Sequence, residues 1–481
     1  MNIEPVRRQS IIHLTTNIAI TAVGFLSTVY FAHALGPSIL GAYFLFLAYF
    51  GIFNLVVDAG LLNATAKKIS EGKDQNELFT ASAVMRLGLL VISLILLFVF
   101  RPFLVDLNSA DLFWWLVLAL VVYLPVGIVS SGNYGLGKVG IVQASILLNN
   151  LLRIVIQVVA VFLGFQLAGL AGGFISGIII NCLLNFHYLE LRFHSFTLLH
   201  VKSLFTFSFW IFLGASGLLV FTTADVVLIG YFLSNADVGI YRVALQLASL
   251  GVFVALALQN VLYPRFSRWN EEGKQDLMEA SLSRAYTYSL VLALPFCVGG
   301  WLLGDKLLYY LYGAEFSNGT VALFILLPLY VVYIFLYLQM MTLNALNHPK
   351  DSFRITAVAV LVNIALNILL IPMIGISGAA IATLASILVN AVLGYVILGK
   401  YITVKMEKRP LFHILAAVGV MALVVGGLRL VVPVVHLGYL IGMIVIGAVV
   451  YFVLLLRIDR GIRDEMREIF EQTGIYWPDR L

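Results

Sequence analysis

The chain has 481 residues, of which 62% are hydrophobic and only 11% charged, with a formal net charge of +5 and a mean hydropathy of +1.02. No soluble core can use so much apolar surface, so a soluble globular domain is excluded, and the small basic surplus does not suggest nucleic-acid binding. A hydrocarbon layer roughly 30 Å thick needs about 20 apolar residues per helix, and such runs fill almost the whole sequence.

The sequence predicts an all-α polytopic membrane protein with 14 transmembrane helices. In chain order the spans are 11–34, 39–62, 79–100, 113–130, 142–163 and 168–187, then 206–231, 238–262, 285–304, 320–344, 353–372, 376–398, 411–432 and 437–456. Arg7 and Arg8 ahead of an apolar run resemble a signal peptide. That run is too long, and no cleavage pattern is evident near Ala32-His33-Ala34, so it reads as a retained first span. After the last span, Ile458, Ile462, Met466 and Phe470 recur every four residues, predicting an amphipathic cytoplasmic tail helix that stops at Gly474.

Most of the 29 Lys and Arg lie in alternate connections and at the two ends, among them Arg7, Lys73, Lys138, Lys202, Lys274, Lys350, Lys408 and Arg460. The opposite connections hold Arg101, Lys306 and Arg429, and Arg86, Arg153 and Arg242 fall inside spans. Basic loops stay in the cytoplasm, so both termini are expected inside, in the cytoplasmic (plasma) membrane. Trp114, Trp115 and Trp301 fall at predicted outer helix ends, where amphipathic rings prefer to sit.

The first six spans match the next six. Leu35-Gly36-Pro37 through Gly41-Ala42-Tyr43 pairs with Leu233-Ser234-Asn235 through Gly239-Ile240-Tyr241, with Gly-x-Tyr in register. Glu71-Gly72-Lys73 pairs with Glu272-Gly273-Lys274, and Asn149/Asn150 sit in the span that corresponds to Asn363/Asn367. Ala168 through Gly173 pairs with Ile374 through Ala379. Six spans per half is an even number, so the halves form a parallel repeat, an arrangement that transporters use. The expected organisation is an N-terminal lobe over 1–200, a C-terminal lobe over 201–400, an additional span pair over 401–456 and a cytoplasmic tail over 457–481.

Ionisable groups inside a membrane are costly and face a cavity or a partner. Asp58 and Arg86 should share a depth, as should Asp225 and Arg242, so these are candidates for ion pairs or for coupling to an ion. Arg153 differs, because no acidic residue of the first half lies at its depth. Asn149 or Asn150, Arg153 and Gln157 share one helix face, and a guanidinium fork matches phosphate oxygens. Arg153, with Arg86 as a second cation and Asn149, Asn150, Gln157, Asn363 and Asn367 as polar companions, is the expected substrate-binding set. The alternatives are an Arg153 bonded to backbone carbonyls and asparagines that bind helix to helix. Cys182 and Cys297 and the eight histidines show no metal-ligand spacing, and no nucleotide-binding loop or nucleophile triad occurs, so no cofactor, metal or catalytic residue is expected.

The chain resembles the polysaccharide-transporter-type flippases of the multidrug/oligosaccharidyl-lipid/polysaccharide exporter superfamily. The resemblance covers nearly the whole length and rests on Leu35-Gly36-Pro37 through Tyr43, Asp225 with Val238-Gly239-Ile240-Tyr241, Tyr263-Pro264-Arg265, and Tyr312-Gly313-Ala314-Glu315-Phe316. It implies a MATE-like V-shaped bundle of two six-helix lobes with two added C-terminal helices, working by alternating access. It also implies a transporter, not an enzyme, whose partners are a polyprenyl-(di)phosphate-linked oligosaccharide, membrane lipids and polysaccharide-assembly proteins. A multidrug or organic-cation antiporter of the same superfamily would want an acidic cavity. A membrane-embedded glycan ligase or polymerase would want a large outer loop.

Overall fold

In lipid every backbone N–H and C=O must find its partner within the protein, which leaves helices as the economical way to span. The computed structural model describes residues 3–104, 107 and 111–473, and no strand occurs among them. Twelve helices among the described residues are long and apolar enough to cross a membrane. The expectation of fourteen spans differs at two places. It divides the continuous apolar stretch 20–58 in two, and it counts 206–231, which is not among the twelve.

One compact unit covers Met1–Gly239. Its first helix, α1 (Ile3–Asp58), is broken at Gly36 (φ 72°, ψ 176°), a conformation that only glycine adopts without strain, and Pro37 follows without an N–H to give to the helix. The chain breaks again at Ala59 and Gly60, both with positive φ, before α2 (Leu61–Ser70). A Cβ at Gly60 would stand 3.0 Å from both Ile211 Cβ and Phe212 N, so this turn needs glycine for space as well as for conformation. Then come α3 (Gln75–Phe100), α4 (Phe113–Gly135), α5 (Val139–Phe162), α6 (Gln166–His187) and α7 (Leu198–Phe232). Phe174 packs edge-on against Phe46 and Phe50, with ring centroids 5.6 and 5.0 Å away, and Tyr123 meets Phe50 at 5.4 Å.

The glycines of the two Gly-x-Tyr motifs meet at the end of this unit. A Cβ at Gly41 would lie 2.6 Å from Gly239 N, and one at Gly239 would lie 3.1 Å from Gly41 N. The matched motifs therefore touch backbone to backbone, which explains the glycine in each.

The second unit covers Ile240–Leu481. It contains most of α8 (Asn235–Ala248), then α9 (Phe253–Glu271), α10 (Gln275–Tyr312), α11 (Thr320–Ala345), α12 (Pro349–Ile374) and α13 (Ile376–Leu398). The last pair of spans, α14 (Lys408–Val431) and α15 (Leu437–Ile458), packs on α10 through Val291, Leu303, Val418, Met421 and Tyr451. Tyr451 Oη donates to Val291 O at 2.6 Å, Tyr310 Oη donates to Val434 O at 2.8 Å, and Arg429 pairs with Asp305 at 2.8 Å. A tail helix, α16 (Arg460–Thr473), follows, with Ile462 and Met466 packed on the same cluster and Asp459 holding His413 at 2.8 Å. The predicted stop at Gly474 lies outside the described residues, as does the side chain of Phe470.

The radial distribution of polarity is that of a membrane protein. Leu423 and Leu430 are 76% and 89% exposed, whereas Asn133, Asn185, Asn363 and Asn367 are wholly buried. Apolar surface facing outward around a polar interior suits lipid, not water, as the solvent. The chain is a multi-pass membrane protein.

Candidate functional site

The site is built on the α5–α6 hairpin. Gly169, Gly173 and Gly177 recur every four residues along α6 and let α5 approach closely. A Cβ at Gly169 would stand 2.9 Å from Ala160 Cβ, one at Gly173 would stand 3.1 Å from Gln157 N, and one at Gly177 would stand 3.0 Å from Arg153 Cβ. Gly173 and Gly177 thus lie opposite the large polar side chains of α5. This spacing is a sequence signal that identifies the helix pair before any charge is considered.

Arg153 is half-buried, nine residues from the Phe162 end of α5, or about 13 Å at 1.5 Å per residue. Its Nε is buried without a hydrogen-bond partner, and among the described residues it makes no ion pair. Asn149, one turn away, also packs on Gly177, and its Oδ1 is likewise buried and unpartnered. Asn150 donates to Ile146 O at 3.0 Å within its own helix. Gln157 is 2% exposed and donates to Tyr43 Oη and to Leu170 O, both at 2.7 Å. It ties α1, α5 and α6 together and has no side-chain donor left for a ligand.

The hairpin of α12 and α13 repeats this geometry with different chemistry. Asn363 donates to Thr383 and Ser386 hydroxyls, each at 3.4 Å, and Asn367 donates to Asn363 Oδ1 at 3.1 Å. Gly378, Ala382 and Ser386 stand where Gly169, Gly173 and Gly177 stand in the first hairpin, as Asn390 stands for Asn181. These contacts align Arg153 and Gln157 with Asn363 and Asn367, one turn along from the match with Asn149 and Asn150 expected from sequence. The second hairpin offers two hydroxyls to its small amide. The first offers a bare glycine to its large cation.

Arg86 has a different setting. It is 2% exposed on α3, its Nη2 lies 2.7 Å from Asp58 Oδ1, and its guanidinium packs on Gly127 of α4. Asp58 also accepts the backbone N–H groups of Gly60 and Leu62 at 3.1 and 3.2 Å, so it caps α2 as well as neutralising Arg86. The two share a depth as the spacing predicts, and they form a pair. Asp225 is buried on α7 in the first unit, and Arg242 is half-buried on α8 in the second.

Sequence reasoning missed the buried amide chain of the first unit. Asn133 Nδ2 donates to Asn185 O at 2.8 Å, and Asn185 Nδ2 donates to Asn181 Oδ1 at 2.7 Å, joining α4 to α6. Two amides four residues apart on one helix and a third about fifty residues away on another give no local signal. Tyr310 and Tyr312, at the end of α10, are held within the protein. Tyr310 bonds Val434, and Tyr312 is buried on Phe316.

The chain was compared with known proteins. The family described as "Polysaccharide biosynthesis protein" matches residues 6–270, and the MatE family matches residues 211–369. A protein of Haloferax volcanii described as "Probable low-salt glycan biosynthesis flippase Agl15" is 27% identical over 448 residues, 92% of this chain and 94% of that protein. "Probable flippase AglR" of the same organism is 26% identical over 474 residues, 97% of this chain and 98% of that protein. Among solved structures, an inward closed lipid II flippase MurJ aligns at a TM-score of 0.76 and 17% identity, covering 92% of this chain and 98% of MurJ. An inward-facing MATE family multidrug transporter aligns at 0.60, also at 17% identity, over 79% of this chain and 94% of its own. Both likenesses bear on the fold alone. With more than half its length matched, the chain belongs to the polysaccharide biosynthesis protein family.

Proposed function

We propose that this protein is a flippase that moves a polyprenyl-(di)phosphate-linked oligosaccharide across the cytoplasmic membrane by alternating access, for assembly of a cell-surface polysaccharide or glycan. One observation carries the reading: Arg153, deep in α5, has a buried unpartnered Nε and makes no ion pair among the described residues, and it packs on Gly177 with Asn149, whose Oδ1 is also buried and unpartnered. A cation kept at that depth is stabilised by an anion, and a diphosphate supplies oxygens that a guanidinium binds through paired hydrogen bonds. The names of Agl15, a probable glycan biosynthesis flippase, and AglR, a probable flippase, support the same class of activity.

In this reading Arg153 holds the phosphates, with Asn149 and Asn150 beside it, while the lipid tail stays in the bilayer. Arg86 is assigned to the framework, because Asp58 already neutralises it. Gln157, Asn363 and Asn367 hold helices together and act on the substrate only by fixing α5 and α12. Asp58, Asp225 and Arg242 are candidates for coupling to an ion. The two lobes over 1–200 and 201–400, the span pair over 401–456 and the tail over 457–481 form the working parts, with both termini in the cytoplasm.

The organic-cation antiporter is the competing reading. It is disfavoured because the unpaired intramembrane charge of the α5 site is basic, and a basic site repels such a substrate. The test is purified protein in vesicles with a fluorescent polyprenyl-diphosphate oligosaccharide and a reagent that reads only the outer leaflet. Protein-dependent exchange between leaflets is expected. Efflux of an organic cation without lipid exchange would favour the antiporter, and a covalent change in the lipid-linked sugar would favour a ligase or polymerase.

A further inference from the structure

Three tyrosines of α11 stand on one helix face at i, i+3 and i+7. Tyr330 and Tyr333 stack with centroids 5.2 Å apart and planes 25° apart, and Tyr333 and Tyr337 stack at 5.3 Å and 21°. The result is a continuous ladder of near-parallel rings rising about 10 Å along the helix. Its depth is unusual. Tyr330 is ten residues from Thr320 and Tyr337 eight residues from Ala345, so the rungs occupy the middle of a span.

Tyrosine in membrane proteins ordinarily gathers at the two interfaces, where its hydroxyl meets water and headgroups. Around them on α11, Leu326, Leu329, Ile334 and Leu338 are fully buried, while the three tyrosines are half-buried together with Val331, Val332, Phe335 and Leu336. Ring surface therefore stays accessible at mid-depth on this face of α11. An aromatic ring with a polar rim suits a ligand that is apolar on one side and hydroxylated on the other. Sugar rings have that character, with C–H groups on a face and hydroxyls around the edge.

We propose that Tyr330, Tyr333 and Tyr337 form a stacking track for the sugar rings of the lipid-linked glycan, separate from the phosphate contact at Arg153. The proposal rests on the flippase reading and adds to it a second subsite in the second unit, one that reads the length of the glycan. The sugar next to the phosphate stays off the track and the outer sugars stack on its rungs, so a long glycan gains contacts that a single sugar does not make.

The test compares two lipids in the leaflet-exchange assay, a polyprenyl diphosphate bearing a pentasaccharide and one bearing a single sugar. For Tyr333→Leu, and for the pair Tyr330→Leu with Tyr337→Leu, exchange of the pentasaccharide lipid should fall about tenfold, the equivalent of about 1.4 kcal/mol. Exchange of the single-sugar lipid should stay near the wild-type rate, which also shows that the variants are folded. Tyr333→Phe keeps the ring and should keep exchange of both lipids. Unchanged exchange of both lipids in the leucine variants would overturn the track, as would equal loss of both in variants of normal thermal stability. If the wild-type protein moves neither lipid, the flippase reading fails and the track fails with it, a result distinct from either of those.

Discussion

Two arginines sit inside the first unit, and their surroundings assign them different work. Arg86 is held by Asp58 at 2.7 Å and packed on Gly127. Removing one partner of a buried pair leaves an uncompensated charge and costs about 3–5 kcal/mol, while replacing both by apolar groups is often neutral. Because Asp58 is 27% exposed, the lower end of that range applies. Arg86→Met should therefore lower thermal stability in detergent, and Asp58→Asn with Arg86→Met should recover much of the loss. If both variants leave the melting temperature unchanged, the pair is not structural. Gln157 belongs to the framework as well. Gln157→Leu strips donors from Tyr43 and from the Leu170 carbonyl and should cost about 1–3 kcal/mol. Substrate affinity should remain that of the wild type, which equilibrium binding of the lipid-linked glycan checks.

At the scale of elements, glycine spacing rather than charge determines how closely α5 and α6 pack. A β-branched side chain at Gly173 would press on the Gln157 backbone, 3.1 Å from the first added atom, and overpacking of this kind costs about 1–3 kcal/mol. Gly173→Val should reduce both stability and transport, whereas the same change at Gly419, which has nothing within 4 Å, should affect neither. The tail helix is joined to α14 and α15 by Ile462, Met466 and the His413–Asp459 contact. Ile462→Asp removes the central apolar contact and should open α16, so trypsin should cut after Arg460, Arg463 and Arg467 much faster than in the wild type. Equal cleavage rates would mean that the helix is not docked.

For the whole molecule, much of the architecture is legible in the sequence because the membrane imposes a single rule on every span. Apolar runs, alternation of basic loops and the matched Gly-x-Tyr motifs lead to a helical, repeated, multi-pass protein. The two matched glycines, Gly41 and Gly239, also meet in the structure. Depth matching brings Asp58 to Arg86 for the same reason, since charges in a membrane have few places to go. Gln157, Asn363 and Asn367 show where this reasoning stops. A polar residue on a membrane helix gives the same sequence signal whether it faces a ligand or another helix, and only the partners at Leu170, Thr383 and Ser386 tell them apart. The tyrosine ladder was hidden for the opposite reason, because Tyr330, Tyr333 and Tyr337 blend into an apolar run until their rings are seen to stack. The parallel repeat expected from the sequence makes a topological prediction. Single cysteines replacing Lys73 and Lys274 in a cysteine-free background should be labelled from the cytoplasmic side, and one at Lys306 from the other. Labelling of Lys73 and Lys274 positions from opposite sides would contradict a parallel repeat.

The central claim is that Arg153 holds the phosphates of a lipid-linked glycan, and leaflet exchange by Arg153 variants tests it most directly. Arg153→Ala in sealed vesicles should reduce exchange of the polyprenyl-diphosphate oligosaccharide by at least about a hundredfold, the loss of roughly 2.7 kcal/mol expected for a charge-assisted contact. Arg153→Lys, which keeps the charge without the fork, should restore part of it. Wild-type exchange by a well-folded Arg153→Ala protein would contradict the account.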